Sequence, residues 1–348
     1  MQIKIGNKIV SRKSPTYFIA EVGVNHNGDL NLAKKMILAA KKSGANAVKF
    51  QTFKAETLCL STTPKVKYQK KNTPSTESHF EMIKSLELSK NNHMILLDYC
   101  KKNGVHFLST PYDVESAKFL NKIGCDTFKT ASADIVDLKM HNYLAGTGKT
   151  IIISTGMANL EEIRDCVKIY QKKKNKKFIL LHCVSNYPCS KNSLNMSVLP
   201  ELAKEFNCLV GYSDHSVGHQ AAEISVILGG VLIEKHFTTN KNLSGPDQET
   251  SVLPKEYSEM VERIYQIKKI LGNKKKICQS EEIQMSKVSR KSLTLNRAIT
   301  KGEKLMEKHV TLKRPGTGLF YKDLKKILGL KAKKSMKIDY QIALGDFE

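Results

Sequence analysis

Residues 16–52, TYFIAEVGVNHNGDLNLAKKMILAAKKSGANAVKFQT, contain a strand, a helix and a second strand in direct succession. The segment 16–23 is rich in β-branched and aromatic residues, which favour a strand. Apolar residues then recur at a spacing close to 3.6 over 30–45, so this segment is predicted to be a helix that stops at Gly44. A second apolar strand follows at 46–52. Such a unit predicts a parallel sheet covered by helices.

The same alternation of strand and helix continues along most of the chain. Six further strands are predicted at 105–110, 126–132, 150–155, 178–184, 208–214 and 231–237. Eight alternations in succession predict a (β/α)8 TIM barrel over residues 1–272, in the α/β class. A doubly wound open sheet is the alternative, but no GxGxxG motif follows the first strand.

The pattern changes after the predicted barrel. Residues 273–287, NKKKICQSEEIQMSK, are polar and are predicted to be a linker. Residues 288–348 contain short strand-like pieces, a KGE turn and a loop rich in glycine and proline. We therefore expect a small second domain over 288–348.

Composition limits the kinds of partner that the chain can have. No apolar leader and no run long enough for a membrane span is present, so we expect a cytoplasmic protein without a membrane partner. The net charge is +24, yet few of the 57 basic residues are arginine and no aromatic residues are interleaved for base stacking. A lysine-rich surface without a nucleic-acid partner is therefore expected, and its field can attract small anions. The eight cysteines form no CxxC pair and are expected to be reduced thiols.

Polar side chains stand at the carboxyl end of every predicted strand. These ends include Glu21, Lys49, Gln51, Thr110, Lys129, Ser132, Ser154, Ser185, Asn186, Tyr187, Ser213, His215 and His236. In a (β/α)8 barrel the carboxyl ends of the strands form the active-site face. Buried polar groups need partners, so a purely structural role for all of them is hard to sustain. The sequence therefore predicts an enzyme active site at this face.

His215 and His236 follow neighbouring strands, so their imidazoles are predicted to meet at one point. Two histidines without a thiolate suit Mn²⁺, Mg²⁺, Fe²⁺ or Zn²⁺ with open positions for substrate oxygens. The alternative is that each histidine is a hydrogen-bonded residue of the barrel rim.

Two lysines at strand ends are candidate binding groups for a phosphate or a carboxylate. Lys49 and Lys129 would supply the charge, and neutral donors would come from the hydroxyls of Thr110, Ser132, Ser154 and Ser213. Salt bridges to Glu21, Glu234 or Asp214 are the structural alternative, and a Schiff-base lysine is another functional one. Glu21 and Asp247 are candidate acid–base groups, although Asp247 alone could be an ordinary turn residue.

The sequence around these strand ends resembles that of the sialic acid synthase family, whose members are phosphoenolpyruvate-dependent nonulosonate synthases. The matching pieces span residues 18–318, and no single piece is decisive. They are IAEVGVNHNGDLNLAKKMI, GANAVKFQTFKAETL, STPYD, FKTASAD, ISTGMA, LHCVSNYP, GYSDHSVG, LGGVLIEKHFT, SGPDQETSVLP and RKSL…KGE…KRPGTG. The resemblance implies a (β/α)8 barrel and a C-terminal antifreeze-like SAF domain, in a domain-swapped homodimer. It also implies condensation of phosphoenolpyruvate with an N-acetylmannosamine-type sugar, with release of phosphate, for surface glycan biosynthesis.

The resemblance also implies roles for the residues at the barrel mouth. His215 and His236 would hold a divalent metal, with Mn²⁺ the usual ion and Mg²⁺ or Co²⁺ as alternatives. Glu21 would handle protons or the water that attacks C2. The phosphoenolpyruvate clamp would consist of Lys49, Thr110, Lys129, Ser132, Ser154 and Ser213. The sugar contacts would be Gln51, Ser185, Asn186, Tyr187, Asp247 and, from the partner subunit, Arg314.

The chain departs from the family pattern at several positions near the acceptor. Ser185 stands where some N-acetylneuraminate synthases have asparagine, Gln248 where the family has histidine, and Ala133 where it has glycine. N-acetylneuraminate synthase is the leading prediction, and an N,N'-diacetyllegionaminate synthase acting on 2,4-diacetamido-2,4,6-trideoxymannose is the alternative. A Schiff-base aldolase using Lys129 and a non-enzymatic carbohydrate- or polyanion-binding protein remain as further hypotheses.

Overall fold

The computed structural model describes residues 1–348, which divide into two compact units, Met1–Gly272 and Asn273–Glu348. The predicted linker at 273–287 is not extended throughout, because the helix Ile283–Ser289 begins within it. None of the helices combines the length and the apolar character needed to cross a membrane.

The first unit is built from ten strands. An antiparallel hairpin comes first, and the eight strands after it form one parallel sheet. The hairpin strands are β1 Gln2–Ile5 and β2 Lys8–Ser11. The sheet strands are β3 Tyr17–Gly23, β4 Ala47–Thr52, β5 His106–Pro111, β6 Thr127–Thr130, β7 Thr150–Ser154, β8 Phe178–Cys183, β9 Leu209–Asp214 and β10 Leu232–His236. All eight predicted strands are present within a few residues of their predicted bounds.

The eight-stranded sheet curls into a nearly closed barrel. Its order is β5-β4-β3-β10-β9-β8-β7-β6, so β10, the last strand of this sheet, pairs with β3, its first strand along the chain. β5 and β6 lie side by side at the remaining seam. The prediction of a (β/α)8 barrel is confirmed, and the doubly wound alternative is wrong. Because helices cover the outside and side chains fill the inside, nearly every strand residue is buried.

Helices cover the barrel and follow the loops at its carboxyl face. The predicted helix at 30–45 is confirmed as Leu30–Lys42, and the Asp29 carboxylate caps its first turn by accepting from the backbone of Asn31 and Leu32. The helices of this unit are α1 Leu30–Lys42, α2 Ala55–Leu58, α3 Lys67–Asn72, α4 His79–Ser85, α5 Lys90–Lys102, α6 Val114–Lys122, α7 Leu138–Gly146, α8 Leu160–Lys172, α9 Val198–Glu205, α10 Gln220–Ile227 and α11 Pro254–Leu271.

The β1–β2 hairpin covers the amino end of the barrel and was not predicted. Its apolar residues Ile3, Ile5 and Val10 are buried in one cluster with interior strand residues. The Thr150 hydroxyl on β7 donates to the carbonyl of Lys4 at 2.8 Å. The alternation of apolar and polar residues in QIKIGNKIVS is a hairpin signal that could have identified it. With this end closed, the barrel is open only at its carboxyl face.

The segment between β4 and α5 forms an apolar wall beside the barrel mouth. Its short helices α2, α3 and α4 replace the usual brief connection between strand and helix. Val24, Phe53, Met82 and Leu86 are buried together there, and Leu58, Ile83 and Tyr112 pack against them. We call this group of seven residues the apolar wall.

The second unit has its own small core. Its strands β11 Ser292–Leu295 and β12 Val310–Lys313 pair antiparallel, and its helix is α12 Ile283–Ser289. Short 3₁₀ segments, which include Glu307–His309 and Tyr321–Lys326, connect the rest. The core is formed by Leu293, Leu295, Ile299, Leu305, Leu324, Ile327, Ala332, Met336, Ile342 and Phe347.

Candidate active site

A cavity of about 1060 Å³ opens at the carboxyl ends of the barrel strands. The structure brings together at this cavity every predicted site residue of the first unit. They are Glu21, Lys49, Gln51, Thr110, Lys129, Ser132, Ser154, Ser185, Asn186, Tyr187, Ser213, His215, His236 and Asp247. Arg314 lies in the second unit and is exposed, so its predicted contact with a partner subunit's sugar stays a prediction.

Two lysines and two glutamates form a charged floor in this cavity. The Lys49 ammonium lies 2.8 Å from a carboxylate oxygen of Glu21 and 3.7 Å from one of Glu234. The Lys129 ammonium lies 3.6 Å from the other Glu234 oxygen. Glu234 therefore lies between the two lysines. It is two residues before His236 on β10, so both side chains point to the same face of the strand. The predicted salt bridges and the predicted cationic floor are thus the same cluster.

Hydroxyl groups complete the coordination of this charged floor. Lys49 donates to the Thr110 hydroxyl at 3.0 Å, and Lys129 donates to the Ser154 hydroxyl at 2.6 Å. The Ser213 hydroxyl donates to Glu234 at 2.9 Å. Each amine still faces the cavity, so the floor presents two cations and several donors to an anion placed above it.

The backbone at Gly156 packs closely against three polar side chains, with no space for a side chain of its own. A β-carbon at this position would lie 2.4 Å from the Ser185 hydroxyl, 2.8 Å from that of Ser132 and 2.9 Å from the Cys183 sulfur. The Gly156 amide also donates to the Ser132 hydroxyl at 3.0 Å. Glycine is therefore required here to keep the side of the cavity next to Lys129 open.

The neighbouring lysines separate the acidities of the two buried floor glutamates. Burial raises the pKa of Glu21 to about 7, against the lowering effect of Lys49. Burial also acts to raise the pKa of Glu234, but Lys129 and Lys49 together lower it to about 2. Burial lowers the pKa of the Lys129 ammonium. Glu234 is therefore a fixed anion near neutral pH, and Glu21 can exchange a proton there.

The imidazoles of His215 and His236 face each other with ring centroids 5.4 Å apart. The His215 Nδ1 atom lies 2.8 Å from the Val184 carbonyl oxygen. If that nitrogen donates, Nε2 carries the free lone pair. Burial lowers the pKa of His236 well below its usual range, which keeps this ring neutral. Its buried Nδ1 has no hydrogen-bond partner and lies 3.8 Å from Asp247.

This pair of facing imidazoles, of which His236 is neutral and has an unpartnered buried nitrogen, fits a divalent metal. No group of three or more histidine, cysteine, aspartate or glutamate side chains is arranged to hold an ion. Any metal held here would therefore need oxygen ligands from substrate or water. The predicted meeting of the two histidines is observed, and metal binding itself stays a prediction.

Aromatic residues cover the histidine pair, and some of them were not predicted. The Tyr187 ring lies 4.1 Å from the His215 ring and 5.3 Å from the Tyr68 ring, centroid to centroid. Tyr68 comes from α3, far away in the sequence, and no motif identifies it. Burial raises the pKa of Asp247, beside His236, to about 6.

Gln248, where the family has histidine, does not line the cavity. Its side chain accepts from the Thr238 hydroxyl at 2.5 Å and donates to the Asn25 carbonyl at 2.7 Å. The Gln248 side chain therefore joins two loops. Because it does not line the cavity, the change from histidine says little about the acceptor sugar. Ser185 and Ala133 do line the cavity.

A barrel mouth with paired cations, hydroxyl donors and two facing imidazoles defines a TIM-barrel enzyme that acts on small anionic substrates. The model of the NeuB family matches residues 36–276, and the model of the SAF domain matches residues 290–348. The chain belongs to the NeuB family, whose members are sialic-acid-like nonulosonate synthases, and it carries a SAF domain. It is thus an enzyme of the phosphoenolpyruvate-dependent transferase class.

Relatives in this family cover nearly the whole chain. The N,N'-diacetyllegionaminic acid synthase of Legionella pneumophila is 41% identical over 317 residues, which are 90% of this chain and 89% of that protein. The N,N'-diacetyllegionaminic acid synthase of Campylobacter jejuni is 43% identical over 327 residues, 93% of this chain and 98% of that protein. A crystal structure of the N-acetylneuraminic acid (sialic acid) synthetase from Leptospira borgpetersenii, in complex with citrate, matches with a TM-score of 0.75. It has 36% identity and covers 82% of this chain and 95% of that one.

Proposed function

We propose that this protein is an N,N'-diacetyllegionaminate synthase that condenses phosphoenolpyruvate with 2,4-diacetamido-2,4,6-trideoxymannose and releases phosphate. This is the alternative acceptor of the sequence analysis, and N-acetylneuraminate synthase is the second candidate. Two relatives above 40% identity are named for the legionaminic product, and the Leptospira structure is named for the sialic one. The observation that carries the choice is the apolar wall.

The apolar wall faces the cavity beside the charged floor. Six of its seven side chains line the cavity: Val24, Phe53, Leu58, Ile83, Leu86 and Tyr112. The trideoxy sugar has a methyl group where N-acetylmannosamine has a hydroxymethyl group, and it carries a second acetamido methyl. A hydroxyl placed against these side chains would lose water without gaining a partner. The wall therefore favours the more apolar acceptor.

The charged floor suits phosphoenolpyruvate. Lys49 and Lys129 offer two ammonium groups to its phosphate and carboxylate, and the Ser154 and Thr110 hydroxyls hold these amines in place. The Glu234 carboxylate lies within 3.7 Å of both ammonium groups and favours their charged forms against the effect of burial. Binding at the floor would hold C3 of phosphoenolpyruvate toward the open part of the mouth, where an acceptor aldehyde has room.

His215 and His236 would hold the divalent metal, which supplies Lewis-acid polarisation of an acceptor carbonyl when bound. Asp247, next to His236, would contact a sugar hydroxyl from the loop above the mouth. Glu21 would accept a proton from the water that attacks C2, because its carboxyl titrates near neutral pH.

Phosphate release from phosphoenolpyruvate, measured with each of the two sugars in turn, tests the proposed acceptor. We expect kcat/KM to be at least about 10-fold higher for the trideoxy sugar, the scale on which an apolar pocket separates such analogues. A higher value for N-acetylmannosamine would instead identify the second candidate. No phosphate release with either sugar would reject both.

Replacing Ile83 with threonine should reduce this preference. Ile83 belongs to the apolar wall and lines the cavity, so the change keeps the branch at the β-carbon, shortens the side chain by one carbon and adds a hydroxyl to the surface. We expect the ratio of kcat/KM values for the two sugars to fall by about 10-fold, since an apolar group of this size is worth roughly 1–3 kcal/mol. Ile224→Thr on α10, outside the cavity, makes the same change and should leave the ratio intact. An unchanged ratio in Ile83→Thr would mean that the wall does not contact the acceptor.

The activity should depend on pH through Glu21. Burial raises the pKa of this carboxyl to about 7, so it is protonated below that pH and can accept a proton only above it. We therefore expect kcat/KM for phosphoenolpyruvate to rise with pH between about 6 and 8. This rise should be absent in Glu21→Gln and present in Asp247→Asn, since burial raises the pKa of Asp247 only to about 6. A rise that persists in Glu21→Gln would assign the proton transfer to another group.

A further inference from the structure

A buried ion pair lies on the helix-facing side of the barrel wall, directly below the two histidines. The Lys235 ammonium is 2.6 Å from a carboxylate oxygen of Asp214, and the side chains are 4% and 0% exposed. Lys235 and Asp214 are register partners on β10 and β9. Each immediately precedes one of the histidines in the sequence. Because side chains alternate along a strand, this pair points away from the cavity while His215 and His236 point toward it.

Lys235 also contacts Ser216, the residue that follows His215. The Lys235 ammonium donates to the Ser216 carbonyl at 2.9 Å. The second Asp214 oxygen accepts from the Ser216 amide at 2.8 Å and from its hydroxyl at 2.7 Å. The residues before and after His215 are therefore both fixed to one lysine on the neighbouring strand. The His215 carbonyl in turn accepts from the Cys189 amide at 3.1 Å.

The chain beyond this point has few other restraints. Val217 is 76% exposed and Gly218 has a φ of 78°, so the turn after Ser216 leaves the packed barrel at once. Without Lys235, the turn would keep the Asp214–Ser216 hydrogen bonds and the contact from Cys189, but it would lose its side-chain link to β10. The Lys235–Asp214 pair is therefore a direct restraint between the strand that carries His236 and the residues that flank His215.

A buried ion pair of this kind contributes little net stability. Removing two charges from water costs about as much as their attraction returns, and apolar replacements are often neutral or stabilising. What the pair does supply is geometry, because its hydrogen bonds have fixed lengths and directions. The same logic applies to groups behind metal ligands, which orient the ligating side chains.

We propose that Lys235 and Asp214 are positioning residues that set the spacing of the His215 and His236 imidazoles and thereby the affinity of the site for a divalent metal. The proposal rests on the metal-binding role given to these histidines under the proposed function. Neither Lys235 nor Asp214 touches the substrates, and both act through the backbone of the histidine that follows them.

The test is direct Mn²⁺ binding to the full-length protein without substrates, followed by the EPR signal of free Mn²⁺. In Lys235→Met, which has a similar length but no charge, we expect the Kd for Mn²⁺ to rise by about 10- to 100-fold, the scale of changes behind metal ligands. Asp214→Asn keeps an oxygen for the Ser216 amide and should show a smaller increase. Lys235→Arg restores the charge and should recover part of the affinity.

A matched control separates positioning from general loss of stability. Tyr170→Phe removes the buried hydrogen bond to His141, 2.9 Å long, in the helical layer outside the barrel. We expect this variant to lower the melting temperature without changing the Kd for Mn²⁺. If Lys235→Met is not folded, Asp214→Asn provides the comparison.

The possible results distinguish the proposal from the function on which it rests. Wild-type affinity in both Lys235→Met and Asp214→Asn, with lost affinity in His236→Ala, would overturn the positioning role alone. An equal loss in Tyr170→Phe would also overturn it. Equal Mn²⁺ binding by the wild type and His236→Ala, or none by the wild type, would reject the metal assignment and the positioning role with it.

Discussion

His236→Ala is expected to lower kcat by at least about 1,000-fold, because a bound metal contributes several kcal/mol to the stabilisation of developing charge and each 1.36 kcal/mol is a factor of ten. The ring of His236 is buried, neutral and without a hydrogen-bond partner at Nδ1, so its removal breaks no hydrogen bond in the protein. We therefore expect the barrel to stay folded. Phosphate release and circular dichroism measured on the same sample check both points.

The control for this substitution is His219→Ala. His219 follows the same strand as His215 but does not line the main cavity, so the same chemical change there should leave kcat within a factor of about two, as for most surface changes. Chelation by EDTA should abolish the activity of the wild type, and Mn²⁺ should restore it. Full activity after EDTA treatment, or in His236→Ala, would show that the histidines have another role.

Lys129→Met is expected to lower kcat/KM for phosphoenolpyruvate by about 1,000-fold, since it removes a buried cation from the anion site and each 1.36 kcal/mol is a factor of ten. Lys129 lies between the Ser154 hydroxyl and Glu234. Its loss leaves Glu234 with Lys49 as the only cation nearby, which also repels an incoming anion. Measurement of KM and kcat for phosphoenolpyruvate separates weakened binding from slower chemistry.

Lys129→Arg distinguishes the synthase from the Schiff-base aldolase. Arginine keeps the positive charge but cannot form a Schiff base. If Lys129 binds phosphoenolpyruvate, part of the activity should survive; if Lys129 is the nucleophile of an aldolase, all activity should be lost. Borohydride with a keto acid should not inactivate the wild type. Lys149→Met is a suitable control, because Lys149 is half-buried away from the cavity and donates to the Cys125 carbonyl. Trapping of a covalent adduct at Lys129 would show that Lys129 is a nucleophile and not a binding group for phosphoenolpyruvate.

The eight strands and their polar ends could be predicted because both depend on short-range patterns. An apolar run bounded by turn residues specifies a buried strand, and the topology of a barrel then sends all the carboxyl ends to one face. Lys49, Lys129, His215 and His236 could thus be assigned to one site from their positions along the chain. The alternation of side chains also placed Glu234 on the same face as His236.

The apolar wall and Tyr68 could not be predicted in this way. Most of them belong to the long segment between β4 and α5, which contains three short helices, and Val24 and Tyr112 follow β3 and β5. Their positions depend on packing between residues distant in sequence, such as Val24 against Leu86, and no periodicity marks such contacts. The proposed acceptor rests on this wall, whereas the sequence motifs alone favoured N-acetylmannosamine.

The sequence by itself determined the barrel, the small second domain and the strand-end positions of the candidate catalytic groups, because strand periodicity and chain order specify them. Only the tertiary structure decided how these groups pair. It placed Glu234 between two lysines, joined Lys235 to Asp214, and turned Gln248 away from the cavity. The physical reason is that the charge of a buried group and the direction of its side chain depend on neighbours contributed by other strands and loops, which local sequence does not specify.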